Sequence, residues 1–232
     1  MLISSRMREK PRNDAKYQKG QKAGLIPAPP SPSAHKEPDM SDIHYSAATW
    51  EDLPAIMELQ GKNLFANLTP QQRERGFLSQ EFSREMLQEV MEDVAIVKAF
   101  TSEELVGFRM AQTLAFNLRF PLWRAIIDRF PHIEFEGKKL SEAEVFITGP
   151  TCIAEAWRGK GVHEGMFKTM RSLARDRFDF GVIFISENNP RSLAAAQNRL
   201  GMQVVDHLTF DGKDYSVLAF STKGEGLTTA RE

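Results

Sequence analysis

Residues 143–174 hold the junction that most constrains the fold, where an apolar extended run turns into an amphipathic helical run through a segment with two glycines and two cations. Upstream, Ala143-Glu144-Val145-Phe146-Ile147-Thr148-Gly149-Pro150-Thr151-Cys152-Ile153-Ala154 carries β-branched and aromatic residues around a Gly-Pro interruption and reads as a strand. Downstream of Trp157-Arg158-Gly159-Lys160-Gly161, residues Val162, Met166, Met170 and Leu173 recur at spacings of four and three, which predicts a helix with one buried face. Glycines let backbone N–H groups approach a ligand closely, and a helix start presents unpaired N–H groups with a partial positive charge. The junction is therefore a candidate phosphate site, with Arg158, Gly159, Lys160, Gly161, Val162 and His163 as its residues.

The rest of the chain alternates strand and helix signals. A strand at about 42–48 precedes Thr49, a cap for a helix carrying Leu53, Ile56, Met57 and Leu59. Thr69-Pro70-Gln71-Gln72 gives a second helix start, with a hydroxyl cap, proline in the first turn and glutamine three residues on. A third helix at about 83–91 leads into strand 94–100, a polar turn at 101–104 and strand 105–113. The dense apolar cluster at 114–142 reads as a small insertion packed on the sheet and is also placed to act as an acceptor-site lid. Strand 181–186 is followed by Asn189-Pro190, a helix cap and first-turn proline, and that helix stops at Gly201. Residues 203–220 spell a hairpin with Asp211-Gly212 at its turn.

Composition excludes several classes. The 232 residues are 41% hydrophobic and 26% charged, as in an ordinary globular protein, and no apolar run reaches the roughly 20 residues of a membrane span. One cysteine, Cys152, allows no internal disulfide, which points to a reducing compartment, the cytoplasm. Scattered histidines give no metal-ligand spacing, so no metal is expected. Residues 1–40 carry eight Lys/Arg against four Asp/Glu around a Pro-rich tract and read as a disordered basic tail. Without them the balance is −5, which disfavours a nucleic-acid partner; no membrane partner is expected either, and residues 224–232 read as a flexible end.

The stretch Arg158-Gly159-Lys160-Gly161-Val162-His163 resembles motif A of the GNAT (GCN5-related N-acetyltransferase) superfamily, written Q/R-x-x-G-x-G/A, with Arg158 and Gly161 matching and His163 departing. Ile183 to Ser192 resembles the next strand and its Asn-containing exit, and Arg199-Leu200-Gly201-Met202 the "K-L-G-F" closing the following helix. Near the start, Ala48-Thr49-Trp50-Glu51-Asp52-Leu53-Pro54-Ala55-Ile56 resembles the opening of the family's first helix. The resemblance covers about residues 42–221, within a domain at 41–223, and is nearest to members with "G-F-L-S", here Gly76 to Ser79, and an insertion before the motif A strand.

The resemblance implies an α/β (α+β type) fold: a mixed, mostly antiparallel central sheet flanked by helices, with a splayed strand pair at the cofactor site. It implies acetyl-CoA as co-substrate, its pyrophosphate on residues 158–163, and its pantetheine arm along Cys152, Ile153 and Ala154, with Asn189 and Ser192 facing the arm. The reaction would be acetyl transfer to an unidentified amine acceptor, by a monomer or homodimer. Glu144 and Glu187 are the candidate general bases. Many members carry a Tyr as the acid for the leaving thiolate where this chain has Gln197, which keeps a non-catalytic acyl-CoA-binding module as the alternative. Cys152 as an acyl-accepting nucleophile is disfavoured, because an isolated cysteine in an apolar strand is inert.

Overall fold

Each helix start expected from the sequence is built by the residues that signal it. In the computed structural model, which describes residues 42–73 and 76–223, Thr49 and Asp52 close a reciprocal capping box ahead of α1 (Leu53–Asn63). Thr69 and Gln72 do the same at α2 (Pro70–Arg73): the Thr69 N–H donates to Gln72 Oε1 at 2.9 Å and the Gln72 N–H to Thr69 Oγ1 at 3.4 Å. The Ser83 hydroxyl accepts the Met86 N–H at the start of α3 (Arg84–Asp93). The tail expected at 1–40 and the flexible end at 224–232 lie outside the described residues.

The strands are β1 (His44–Ala47), β2 (Ala95–Phe100), β3 (Leu105–Thr113), β4 (Glu134–Phe135), β5 (Lys138–Lys139), β6 (Val145–Ile153), β7 (Phe180–Ser186), β8 (Gln203–Phe210) and β9 (Lys213–Ser221). Seven of them form one sheet in the order β1-β2-β3-β6-β7-β9-β8, with β4 and β5 a separate two-stranded ribbon. Every neighbouring pair in the large sheet is antiparallel except β6 and β7. The β8–β9 hairpin turns at Asp211 and Gly212, whose φ of 48° and 68° are the paired left-handed values of a two-residue hairpin loop.

Three apolar clusters hold the layers together. On one face α6 (Val162–Ala174) and α7 (Pro190–Asn198) bury Val162, Met166, Phe167 and Met170 against β2, β3, β6 and β9. The expected fourth member of that stripe, Leu173, is instead half exposed, and Ala174 takes the inward position as the helix ends. On the opposite face α1 and α3 bury Leu53, Ile56, Leu87 and Val90 against Phe108 and Met110. The insertion, with α4 (Leu114–Asn117) and α5 (Pro121–Ile127), covers the remaining half of that face through Trp123, Ile126, Phe130 and Phe135. It is thus packed on the sheet, as its aromatic content predicts. Gly165 brings α6 onto β1 so closely that a Cβ there would stand 2.2 Å from the Tyr45 ring.

Candidate functional site

Strands β6 and β7 pair only over Val145–Ile147 and Phe180–Val182. Beyond that short seam β6 follows β3 and β7 follows β9, so the two strands part and leave a backbone edge of each facing the gap. The gap ends at the junction singled out by sequence. Gly159 and Gly161 have φ of +77° and +79°, and a Cβ at either would meet nothing within 4 Å. The left-handed backbone, not lack of room, is what demands glycine there. No side chain caps the N-terminus of α6, so the N–H groups of its first turn are offered outward at the positive end of a 13-residue helix. That arrangement suits an anion.

The two cations of the turn are placed differently from each other. The Arg158 guanidinium is held at the end of β6, donating from Nε to the Ile153 carbonyl at 3.0 Å and from Nη2 to Asn63 Oδ1 on α1 at 2.5 Å. The Lys160 ammonium lies 5.7 Å from the centre of the Trp157 ring. His163, in the first turn of α6, is turned inward, with Nε2 2.9 Å from Nη1 of Arg109 on β3. Arg109 is fully buried; its Nε donates to Thr148 Oγ1 at 2.9 Å and its Nη1 to Thr151 Oγ1 at 3.1 Å. The Phe167 ring stands 5.3 Å away, and Nη2 has no hydrogen-bond partner. Desolvation lowers the guanidinium pKa to about 9, which leaves it charged at neutral pH, and burial together with the Arg109 and Arg199 charges lowers the His163 imidazole to about 3.

Other expected site residues divide between the gap and elsewhere. Cys152 is buried on the α1 face with its sulfur 3.8 Å from the Leu59 carbonyl, and burial pushes its thiol up to about 12, so no thiolate nucleophile forms near neutral pH. The Ala154 N–H is committed to the Val106 carbonyl at 2.9 Å, on the β3 side of the strand, and the Ile153 carbonyl to Arg158. Asn189 caps α7 by accepting the Ser192 N–H at 3.1 Å, and Ser192 and Gln197 are exposed on that helix. Glu144 is set apart from the gap. It precedes the paired end of β6, where its N–H donates to Asp179 Oδ2 at 3.2 Å and its carbonyl accepts the Asp179 N–H at 2.7 Å. Glu187 follows β7 at the parted end, where its Oε1 lies 2.9 Å from His207 Nδ1 and accepts from Ser216 Oγ at 3.3 Å.

Sequence reading missed Arg109, His207 and Ser216. A cation inside the apolar run Val106-Gly107-Phe108-Arg109-Met110-Ala111 was the available signal for the first; the other two join Glu187 only through the β8–β9 register. On the α1 side a cavity of about 670 Å³ opens next to the turn, lined by Glu58, Lys62, Asn63, Glu104, Glu155 and Arg158 among others.

A mixed sheet that parts between its parallel strands, with the N-terminus of a long helix at the opening, decides the family of folds. The chain has the GNAT fold. Solved structures agree with it over nearly their whole length at low sequence identity. YncA of Salmonella typhimurium, solved with its cofactor acetyl-CoA, superposes with a TM-score of 0.52 at 12% identity, covering 82% of this chain and 99% of that one. The ribosomal-protein-S18-alanine N-acetyltransferase of Escherichia coli gives 0.51 at 12% identity, over 80% and 98%. Arabidopsis thaliana NAA60 in complex with acetyl-CoA gives 0.52 at 16% identity, over 78% and 99%. No protein-family model and no curated protein sequence matches the chain. Among the described residues no helix is long and apolar enough to cross a membrane, and no group of three His, Cys, Asp or Glu could hold a metal ion.

Proposed function

We propose that this GNAT-fold chain is an N-acyltransferase that moves an acetyl group from acetyl-CoA to a primary amine by direct attack. The observation that carries the reading is the gap between β6 and β7 opening onto the uncapped glycine turn of α6. The turn supplies backbone donors for the pyrophosphate, and the facing strand edges suit an extended pantetheine arm that pairs as a strand would. Acetyl-CoA when bound supplies the activated thioester; the chain's part is to hold it, admit the amine and accept its proton.

Glu187 is the candidate base, since it stands at the parted end of β7. Its Oε1 accepts from His207 Nδ1 and from Ser216 Oγ, contacts that hold the carboxylate in a defined place. Direct transfer is favoured over an acyl-enzyme because Cys152 is buried and its thiol is held protonated. The cavity beside the turn carries four carboxylates, Glu58, Glu103, Glu104 and Glu155, against Lys62 and Arg158, which favours a cationic amine as acceptor.

Thiol release from acetyl-CoA, measured across a panel of small amines and peptide N-termini, tests the reading; amine-dependent release is expected. The second reading, a non-catalytic acyl-CoA-binding module, rests on Gln197, which leaves α7 without an acidic hydroxyl for the thiolate. CoA binding with no release for any amine would favour it.

A further inference from the structure

We propose that Arg109, buried on β3, is the counter-charge for a phosphate or pyrophosphate group bound at the first turn of α6, with His163 as the side-chain donor between them. The proposal rests on the reading that this turn takes the coenzyme A pyrophosphate. A fully buried cation is costly unless it is paired, and Arg109 has only Thr148, Thr151 and His163 as hydrogen-bond partners, all uncharged. It makes no ion pair among the described residues, and its Nη2 is sealed from solvent without an acceptor. A neighbouring strand shows the ordinary solution: Lys98 on β2 reaches both carboxylate oxygens of Asp52, at 2.7 and 2.8 Å.

The orientation of His163 follows from Arg109. A guanidinium only donates, so the Nε2 atom it touches at 2.9 Å must accept, and the ring proton therefore resides on Nδ1. The depressed imidazole pKa agrees with that neutral form. Nδ1 has no partner among the described residues and is not sealed from solvent. His163 is the second residue of α6 and so belongs to the same first turn as the uncapped backbone donors. An anion there meets backbone N–H groups, a neutral imidazole donor and, one hydrogen bond behind it, a full positive charge in a low-dielectric setting. The side chain that departs from the small residue of the motif A pattern thereby becomes a part of the anion site, and Arg109 is its positioning residue.

The test uses the full chain, calorimetric titration with CoA, inorganic pyrophosphate and pantetheine, and long-range ¹H–¹⁵N NMR of the His163 ring. In the wild type the ring should be the Nδ1–H tautomer from pH 5 to 8, and its proton resonance should move when pyrophosphate is added. Arg109→Met should weaken CoA and pyrophosphate about 10- to 100-fold and leave pantetheine unchanged, because only the anions feel the lost charge. His163→Ala, an exchange at a half-buried first-turn position, should do the same to a smaller extent and serves if Arg109→Met does not fold. CoA binding at the wild-type Kd in the folded variants would overturn the role of Arg109 and leave the coenzyme reading standing. Pyrophosphate binding that is lost in Arg109→Met, without CoA binding to the wild type, would support the anion site and sink the coenzyme reading. An Nε2–H tautomer or an imidazolium at pH 7, or failure of the wild type to bind either anion, would overturn the proposal.

Discussion

At the paired end of the β6–β7 seam, Asp179 receives Lys138 and Lys223 at 2.9 Å each and the Glu144 N–H at 3.2 Å, and its own N–H donates to the Glu144 carbonyl at 2.7 Å. At the parted end, a few residues along the same strands, Arg109 keeps an unpartnered Nη2, the first turn of α6 has no side-chain cap, and β6 and β7 no longer bond to each other. The two ends are built from the same strand pair, yet the first satisfies its charges within the protein and the second leaves donors and a cation over. Structure held by internal pairs has no need of a ligand, while the first-turn donors at the other end are left for water or, on the function proposed above, for an anion.

The largest effect expected from that contrast is on turnover. Glu187→Gln, at the parted end, should lower kcat by about 10²–10⁴-fold if Glu187 is the general base, and Glu144→Gln, at the paired end, should leave it unchanged. Equal losses in the two variants, or none in either, would break the distinction; the assay is amine-dependent thiol release.

Gly161→Asp should come next. It places a carboxylate and a non-glycine side chain at φ +79°, on the turn that is to meet phosphate. CoA at 100 times its Kd stabilises the native state by about 2.7 kcal/mol, and a thermal melt should show that increment vanish in the variant while the unliganded protein still unfolds cooperatively. A preserved CoA shift would remove the pyrophosphate from this turn.

A smaller and opposite signature belongs to the paired end. Asp179→Asn weakens two partly exposed ion pairs and one backbone acceptor, so it should cost about 1–2 kcal/mol in denaturant unfolding and leave CoA affinity as it was. The two lysines and the Glu144 N–H hold the Asp179 carboxyl well below the usual carboxylate range, so this contribution persists across neutral pH. A change in CoA affinity without a change in stability would show that the two ends are not separate.

How far the sequence carries the reading can be seen at particular residues. Thr49, Thr69, Asn189, Gly201 and Asp211-Gly212 act through neighbours one to four positions away, so their caps and turns were readable directly. The glycine turn was readable because left-handed backbone leaves glycine as its mark. Arg109 and His163 are 54 positions apart, and only the packing of α6 on β3 brings them together; in sequence one is a charge in an apolar run and the other a misfit in a motif. Glu144 and Glu187 looked alike as carboxylates at strand ends, but local pattern does not say at which end two strands part. Leu173 shows the limit of periodicity, since the spacing places it on the apolar stripe while the sheet no longer lies beneath it.

The last expected effect is a pH dependence that reports the buried end without any ligand. His163 faces Arg109 from β3, Arg199 from beyond α7, and the Thr148 and Thr151 hydroxyls beside Arg109 from β6, and Arg199 is itself tied to Glu164 at 3.3 Å. Its pKa is about 3 in the folded chain against an ordinary 6.5, so between those values the unfolded chain binds the extra proton. Stability then rises with pH across that window; the contribution is complete above about 6.5 and is lost as pH falls, at up to about 1.4 kcal/mol per pH unit. His163→Ala should remove that slope, so that the two denaturation profiles converge as pH is lowered from 7 to 5. Parallel profiles would mean that the imidazole titrates in the folded chain as it does in water and that the Arg109 contact does not hold it neutral.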